Sequence, residues 1–487
     1  MAKHYYIVLL FLLLRTVGLA QFDAMIIDSL GQVTLDKTAT NGAYISIMQN
    51  KQVVYSKAFG YNDTTTQTIL TDSTLFPISS NTKAFNSILL SQLAEDKLLD
   101  FEEPLFYYLP EINLSSEFME NELNLIDLLT HRWGIPRYDF TYYVLDSVEK
   151  KAPNRAVFNK LKYLETTSSS RTKFSYGNNQ YIVAAYLLEQ LTKQKWEQRL
   201  LEKILTPLGM DDTHCDLELY KKTASRSIGY QQKKAVNMDM VAPMYDVSGM
   251  GNMFSSIRDL QQWSRFLLEG DTNILSKDWI DFNLQGHFVV GFEESEPGFS
   301  NLEYGLGWYV YDYYGSKVVL HHGDNIGHQT LLVILPDDDI AFQLMANEGM
   351  VSNSFCFRMA FSLLDMLKLD NINDWNEIRA TDYVYESEFS DLPNKVLPTV
   401  DLTEYTGVYQ HEGFGTIKVS LKNGALYVES GAFKDTLTHF NEDMFVFNAV
   451  EFQEAYTFRF KVTEKEVIGL ETSMVELSID PVLFEKQ

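Results

Sequence analysis

The chain has 487 residues, 45% of them hydrophobic and 13% aromatic, so it is long enough for more than one packed core and too apolar to be a disordered chain. Forty Lys and Arg stand against 66 Asp and Glu, a net charge of −26, which argues against a nucleic-acid partner because phosphate binding needs basic surface. The two cysteines, Cys215 and Cys356, are too far apart to form a metal motif, and whether they pair is open from sequence.

Residues 1–20, MAKHYYIVLLFLLLRTVGLA, combine Lys3, an apolar run at 5–14 and small residues at Gly18, Leu19 and Ala20. This is the pattern of a secretory signal peptide. The run falls short of the ~20 residues of a membrane span, and Arg15 interrupts it. The expectation is a periplasmic or secreted protein with no stable membrane span after signal removal.

AYISIM (43–48) and VVYSKAF (53–59) read as the strands of a hairpin. SSNTKAFNSILLSQLAEDKLL (79–99) reads as a buried central helix, with Ala84, Phe85, Ile88, Leu89 and Ala94 on its apolar face. From about 84 to 270 the pattern is mostly helical, as in 184–205 and 259–269. Strands return at KVVLHH (317–322), TLLVIL (330–335) and IAFQLMA (340–346), with a tight turn at Pro336-Asp337-Asp338-Asp339, and a helix follows at 354–368. Strands at both ends with helices between predict an α+β unit: a sheet built from N- and C-terminal strands, with a large helical insertion.

Residues 371–394 lose periodicity and turn acidic, and read as a linker. Beyond it the period becomes two. TIKVSLKNGALYVES (416–430) folds back at Asn423-Gly424, and YTFRFKV (456–462) alternates. The prediction is a separate antiparallel, barrel-like β domain over 395–487 that folds as a unit, is not needed for acylation, and shapes substrate access or assembly. Asn62 and Asn113 head glycosylation-type tripeptides.

Three short motifs carry chemistry. Ser80 and Lys83 lie three apart at a helix start, on one side of the helix, where free N–H groups and positive potential gather. A serine hydroxyl becomes a useful nucleophile when a base takes its proton, and a lysine of lowered pKa is such a base. In FSYGNNQY (174–181), Tyr176 stands two before Asn178; a tyrosine near the lysine can relay protons, and the asparagine can bind a substrate carbonyl and hold the lysine. In LHHGDNIGH (320–328), His321-His322-Gly323 ends a strand whose edge can take an acyl substrate by backbone hydrogen bonds, Gly323 letting it come close. Adjacent histidines on a strand face opposite ways, so no metal site is expected there.

Ser-x-x-Lys, Tyr-x-Asn and His-x-Gly, in this order and at these separations, resemble the serine β-lactamase and penicillin-binding-protein superfamily, and most of all its class C-like branch of esterases, D-aminopeptidases and β-lactamase-related hydrolases. LLTHRWGIP (128–136), PLGMDDT (207–213), GMGNMFSSIRDLQQW (249–263) and YGLGW (304–308) agree with it. The resemblance spans about 25–370, while 395–487, with DLTEYTGVY (401–409), resembles the lipocalin-like β domain attached to some of these hydrolases. It implies a β-lactamase-like antiparallel sheet flanked by helices in a hydrolase domain at 21–370. It implies Ser80 as the acylated nucleophile, Lys83 and Tyr176 as proton-transfer groups, and Asn178, His321 and Gly323 at the substrate. Backbone N–H groups of Ser80 and Asp324 would form the oxyanion hole. His322 in place of Thr or Ser, and HRWG in place of His-Thr-Ser-Gly, depart from the common pattern. The implied activity is hydrolysis of an ester or amide in a small molecule or peptide through an acyl-enzyme, without cofactor or metal. An efficient β-lactamase, or a non-catalytic penicillin- or peptidoglycan-sensing binder, are the competing readings. Oligomeric state is left open.

Overall fold

The computed structural model describes residues 22–487 except 39, 115, 232, 292–295, 350–353, 380–388, 390–395, 450–453, 477 and 478. The signal-peptide reading of 1–20 therefore lies outside the described residues. Among the described residues no helix is long and apolar enough to cross a membrane.

The chain opens with helix α1 (Ala24–Lys37), capped by Asp23, whose carboxylate accepts from the N–H groups of Met25 and Ile26. Strands β1 (Gly42–Gln49) and β2 (Gln52–Gly60) form the expected hairpin. Helix α2 (Thr82–Glu95) is buried on every side from Thr82 to Ala94, which explains why its apolar residues spread round the helix instead of forming one stripe. The helical insertion includes the one-turn α3 (Phe140–Tyr143), α4 (Asn179–Thr192) and α5 (Ile257–Glu269). The long helix expected over 184–205 is broken. Lys193 adopts a left-handed conformation, and the chain restarts at Trp196, whose indole N–H donates to Asn86 Oδ1 at 3.0 Å in the core.

Three strands follow that the sequence reading lacked: β3 (Phe288–Gly291), β4 (Phe299–Tyr304) and β5 (Tyr309–Tyr313). Then come β6 (Ser316–Asn325), β7 (His328–Leu335), β8 (Ile340–Ala346) and helix α6 (Phe355–Lys368). These strands form one antiparallel sheet in the order β2-β1-β8-β7-β6-β5-β4-β3. The N-terminal β1 lies against the late β8, Ala43 opposite Ala346, so strands from both ends of this unit join in one sheet as expected. One face packs on α1 and α6, the other on α2 and α5.

The structured unit runs past the expected boundary at 370. Trp375 is buried and donates its indole N–H to the buried carboxylate of Asp365 at 2.8 Å, so the start of the predicted linker is packed on α6. The rest of that linker lies mostly outside the described residues.

The β domain is a nine-stranded antiparallel sheet among the described residues, from Gly407–His411 to Val482–Lys486. Its two edge strands, Phe433–Thr436 and Thr438–Asn441, are separated in sequence by Leu437 alone yet stand at opposite ends of the strand order, so the sheet curls almost to closure. Asn423 and Gly424 both have positive φ, as the predicted hairpin turn requires. The apolar core is continuous between the two units: Phe414 stacks on Tyr138 at 6.2 Å, and Phe433 meets Phe140 and Tyr143 at 6.1 and 5.1 Å. Cys215 and Cys356 are both free thiols. Asn62 is buried, its amide bonded to Arg226 O and Ile228 N, which removes it as a glycosylation acceptor in the folded state.

Candidate active site

Ser80 lies in a 3₁₀ turn, Ser79–Asn81, that runs straight into α2. The residue before it, Ser79, holds φ at +45°, a left-handed conformation that costs a non-glycine residue of order 1–3 kcal/mol. The turn is tied down by Asn81, whose amide donates to Ile78 O at 3.0 Å and to Thr330 Oγ1 of β7 at 2.8 Å. Strand β6 crosses so near that a Cβ on Gly323 would stand 1.9 Å from Ile78 O. The close approach that Gly323 permits is thus that of the protein's own backbone, which seats β6 beside the turn that carries Ser80. Pairing of β6 with β5 ends at Leu320, so 321–325 continue past the end of that neighbour.

The structure brings Ser80, Lys83, Tyr176 and Asn178 together. Lys83 Nζ lies 3.1 Å from Ser80 Oγ, 2.9 Å from Asn178 Oδ1 and 2.9 Å from Met250 O. Tyr176 OH donates to Ser80 Oγ at 2.9 Å. Asn178 is oriented in turn, its amide N–H donating to Asp139 Oδ1 at 3.0 Å and Tyr142 OH at 3.2 Å. Asp139, Tyr142 and the Met250 carbonyl had no part in the sequence reading. Asp139 sits in a loop without periodicity, and a carbonyl contribution leaves no side-chain signature at all.

Burial sets the protonation states. Lys83 is fully buried, which drives its pKa well below the usual lysine value; the Arg137 guanidinium pushes the same way, and Asp139 opposes. Tyr176 moves oppositely: burial raises its pKa, so it keeps its proton. Lys83 Nζ donates to Asn178 Oδ1 and Met250 O, which can only accept, and its third contact is the Ser80 hydroxyl, where a deprotonated amine would present its lone pair.

His321 is also fully buried, and burial followed by the neighbouring His322 and Lys83 holds its pKa well below the usual histidine value. Its Nδ1 lies 2.7 Å from His322 O, which can only accept, so Nδ1 carries the proton and Nε2 accepts from Tyr304 OH at 3.0 Å. Neither ring nitrogen is left for a substrate in this arrangement, a departure from the anchoring role the motif suggested. His322 points elsewhere and donates Nδ1–H to Asp324 Oδ2 at 2.6 Å. His131, from the variant HRWG stretch, packs its ring 4.4 Å from Tyr176 and accepts from Gly177 N–H at 3.3 Å. It is buried, so it walls the tyrosine from water. Among the described residues no group of three metal-ligating side chains is found.

A family model described as Beta-lactamase matches residues 26–353, and one described as a domain of unknown function (DUF3471) matches 393–485. The chain is similar to the Unguisins hydrolase ungD' of Aspergillus campestris (strain IBT 28561), 27% identical over 408 residues, covering 79% of this chain and 76% of that protein. It is similar to Protein flp of Staphylococcus aureus (strain NCTC 8325 / PS 47), 25% identical over 325 residues, 66% of this chain and 62% of that protein. In fold it resembles the octameric penicillin-binding protein homologue from Pyrococcus abyssi, with a TM-score of 0.64 and 20% identity over 95% of this chain and all of that one. The α+β architecture, the Ser-x-x-Lys helix start and the match over most of its length place the chain in the beta-lactamase family.

Proposed function

We propose that the protein is an exported serine hydrolase that cleaves an ester or amide through an acyl-enzyme on Ser80. The observation that carries the reading is Lys83: a fully buried amine with two obligate acceptors and one hydroxyl around it is poised as a base. Neutral Lys83 takes the Ser80 proton as Oγ attacks the substrate carbonyl carbon. The oxyanion is received by the backbone N–H groups of Ser80 and Asp324. On collapse the proton passes from Lys83, through the Tyr176 hydroxyl, to the leaving oxygen or nitrogen. Water then attacks the acyl carbonyl, its proton travels back along the same pair, and Ser80 is restored. Tyr176 works as a donor and relay rather than as a phenolate, since burial keeps it protonated.

A neutral, fully bonded His321 supplies no cation for a substrate carboxylate, which favours uncharged esters and amides over efficient β-lactam hydrolysis. The hydrolase name of the Aspergillus relative supports turnover over mere binding. The signal-like pattern at 1–20 supports a periplasmic or secreted location.

A fluorophosphonate probe tests the chemistry. The adduct is expected on the peptide that contains Ser80, and Ser80→Ala should abolish both labelling and turnover with the fold intact. An adduct on another serine would overturn the assignment. The mass of the protein recovered outside the cytoplasm tests export: loss of residues 1–20 is expected, and a full-length cytoplasmic product would refute it.

A further inference from the structure

We propose that a cavity between the hydrolase unit and the β domain is the subsite for an apolar acyl side chain, with the β domain supplying one wall. This rests on the acyl-enzyme reading above. The cavity holds about 210 Å³. Whole-ligand sites run to roughly 300–1,000 Å³, so this one has the size for a single side chain. Phe140, Tyr143 and Met244 line it from the hydrolase unit, and Phe433, Tyr456 and Val475 from the β domain.

The place of the cavity ties it to the chemistry. Asp139 and Asp324 line it too. Asp139 accepts from Asn178, which accepts from Lys83, so the wall stands two hydrogen bonds from the base. Asp324 directly follows Gly323 on β6. Helix α3 connects the two sides. Phe140 and Tyr143 meet Phe433 of the β domain, while Asp139 and Tyr142 hold Asn178. At Gly431, with φ +56°, the β domain comes so close that a Cβ would stand 2.0 Å from Tyr143 O. The two units are therefore seated on one another at the pocket. A leaving group must depart after acylation, whereas the acyl group stays through both steps, so a recess walled by two domains suits the group that stays.

Charge narrows the occupant. Four carboxylates, those of Asp139, Asp324, Glu454 and Glu476, face one guanidinium, that of Arg137. Arg137 is already matched, its Nε 2.5 Å from Asp139 Oδ2. The lining thus disfavours an anionic acyl chain, and its aromatic and aliphatic walls suit an apolar one.

The test uses the full chain and three 4-nitrophenyl esters: acetate, 3-phenylpropanoate and hemisuccinate. In the wild type, kcat/KM for the phenylpropanoate should exceed that for the acetate by at least about tenfold. Val475→Trp and Met244→Trp fill the recess from opposite walls, and each should lower that ratio by about tenfold. Glu454→Lys, at a half-buried carboxylate, should raise the hemisuccinate rate relative to the phenylpropanoate. A ratio unchanged in both Trp variants overturns the subsite; should one of them fail to fold, the other and Glu454→Lys decide. Probe labelling separates this from the parent reading: no Ser80 adduct in the wild type defeats the hydrolase mechanism, whereas labelling with unmoved ratios defeats the subsite alone.

Discussion

Lys83→Met removes the proposed base and also changes how stability depends on pH. Two acceptors, Asn178 Oδ1 and Met250 O, lose their donor, at about 1–3 kcal/mol for each buried unsatisfied group. That loss is the same at every pH. The second effect is not. In the folded protein the Lys83 pKa lies well below its ordinary value, so between the two values the unfolded chain binds a proton that the folded one does not. Stability then rises with pH across that window, by up to about 1.4 kcal/mol per unit from this one group. The variant lacks the slope, so the wild-type advantage over Lys83→Met should grow as pH rises. Urea unfolding followed by tryptophan fluorescence reads it well, because all six tryptophans, Trp133, Trp196, Trp263, Trp279, Trp308 and Trp375, lie outside the β domain. Turnover should fall by about 100- to 10,000-fold at the same time. A stability difference that stays flat between about pH 6 and 9 would mean that Lys83 is charged in the folded state, and the neutral-base mechanism would fail.

Tyr176→Phe and Lys83→Ala should each cut acylation severely, and the double variant should be little worse, since groups sharing one proton path are not additive; multiplicative losses in single-turnover kinetics would mean independent roles. Gly323→Ala should destabilise the protein by about 1–3 kcal/mol and slow Ser80 labelling, because its methyl would meet the Ile78 carbonyl; an unchanged melting temperature and labelling rate would refute the close seating of β6. His321 should stay neutral, so the ratio of specificity constants for a carboxylate-bearing and a matched neutral ester should not follow a histidine titration between about pH 5.5 and 8.5; a ratio that falls through that range, and is levelled by His321→Lys, would restore it as an anchor.

Much of this arrangement was legible in the residues. Local spacing placed Ser80 beside Lys83 and Tyr176 beside Asn178, and the three motifs pointed to one chemistry. Alternation located β1, β2 and the hairpin at 416–430. What escaped was set by contacts across the chain. Helix α1 carries Gly31 in mid-helix, which argues against a helix by propensity; the glycine is there because the Phe59 ring would lie 2.4 Å from a Cβ. Strand β5 alternates Tyr309, Tyr311 and Tyr313 over only five residues, and the β4–β5 pairing shifts register between Ser300 and Glu303, so neither strand offers a long period of two. His321 looked like a cation stand-in because its motif gave no hint of Tyr304, which occupies Nε2 from another strand. The β domain read as detachable because its linker is polar; the aromatic contacts of Phe414 and Phe433 with the hydrolase unit are visible only in three dimensions.

The pairing of β1 with β8 has a consequence for how the molecule comes into being. Ala43 waits for Ala346, and the turn that carries Ser80 waits for Gly323, so a growing chain exposes its serine long before the strand that flanks it has been synthesised. Such long-range closure is slow relative to helix formation. Under the proposed mechanism a partial chain ending before β6 lacks Asp324, and with it half of the oxyanion hole, so reactivity at Ser80 waits for completion of the sheet.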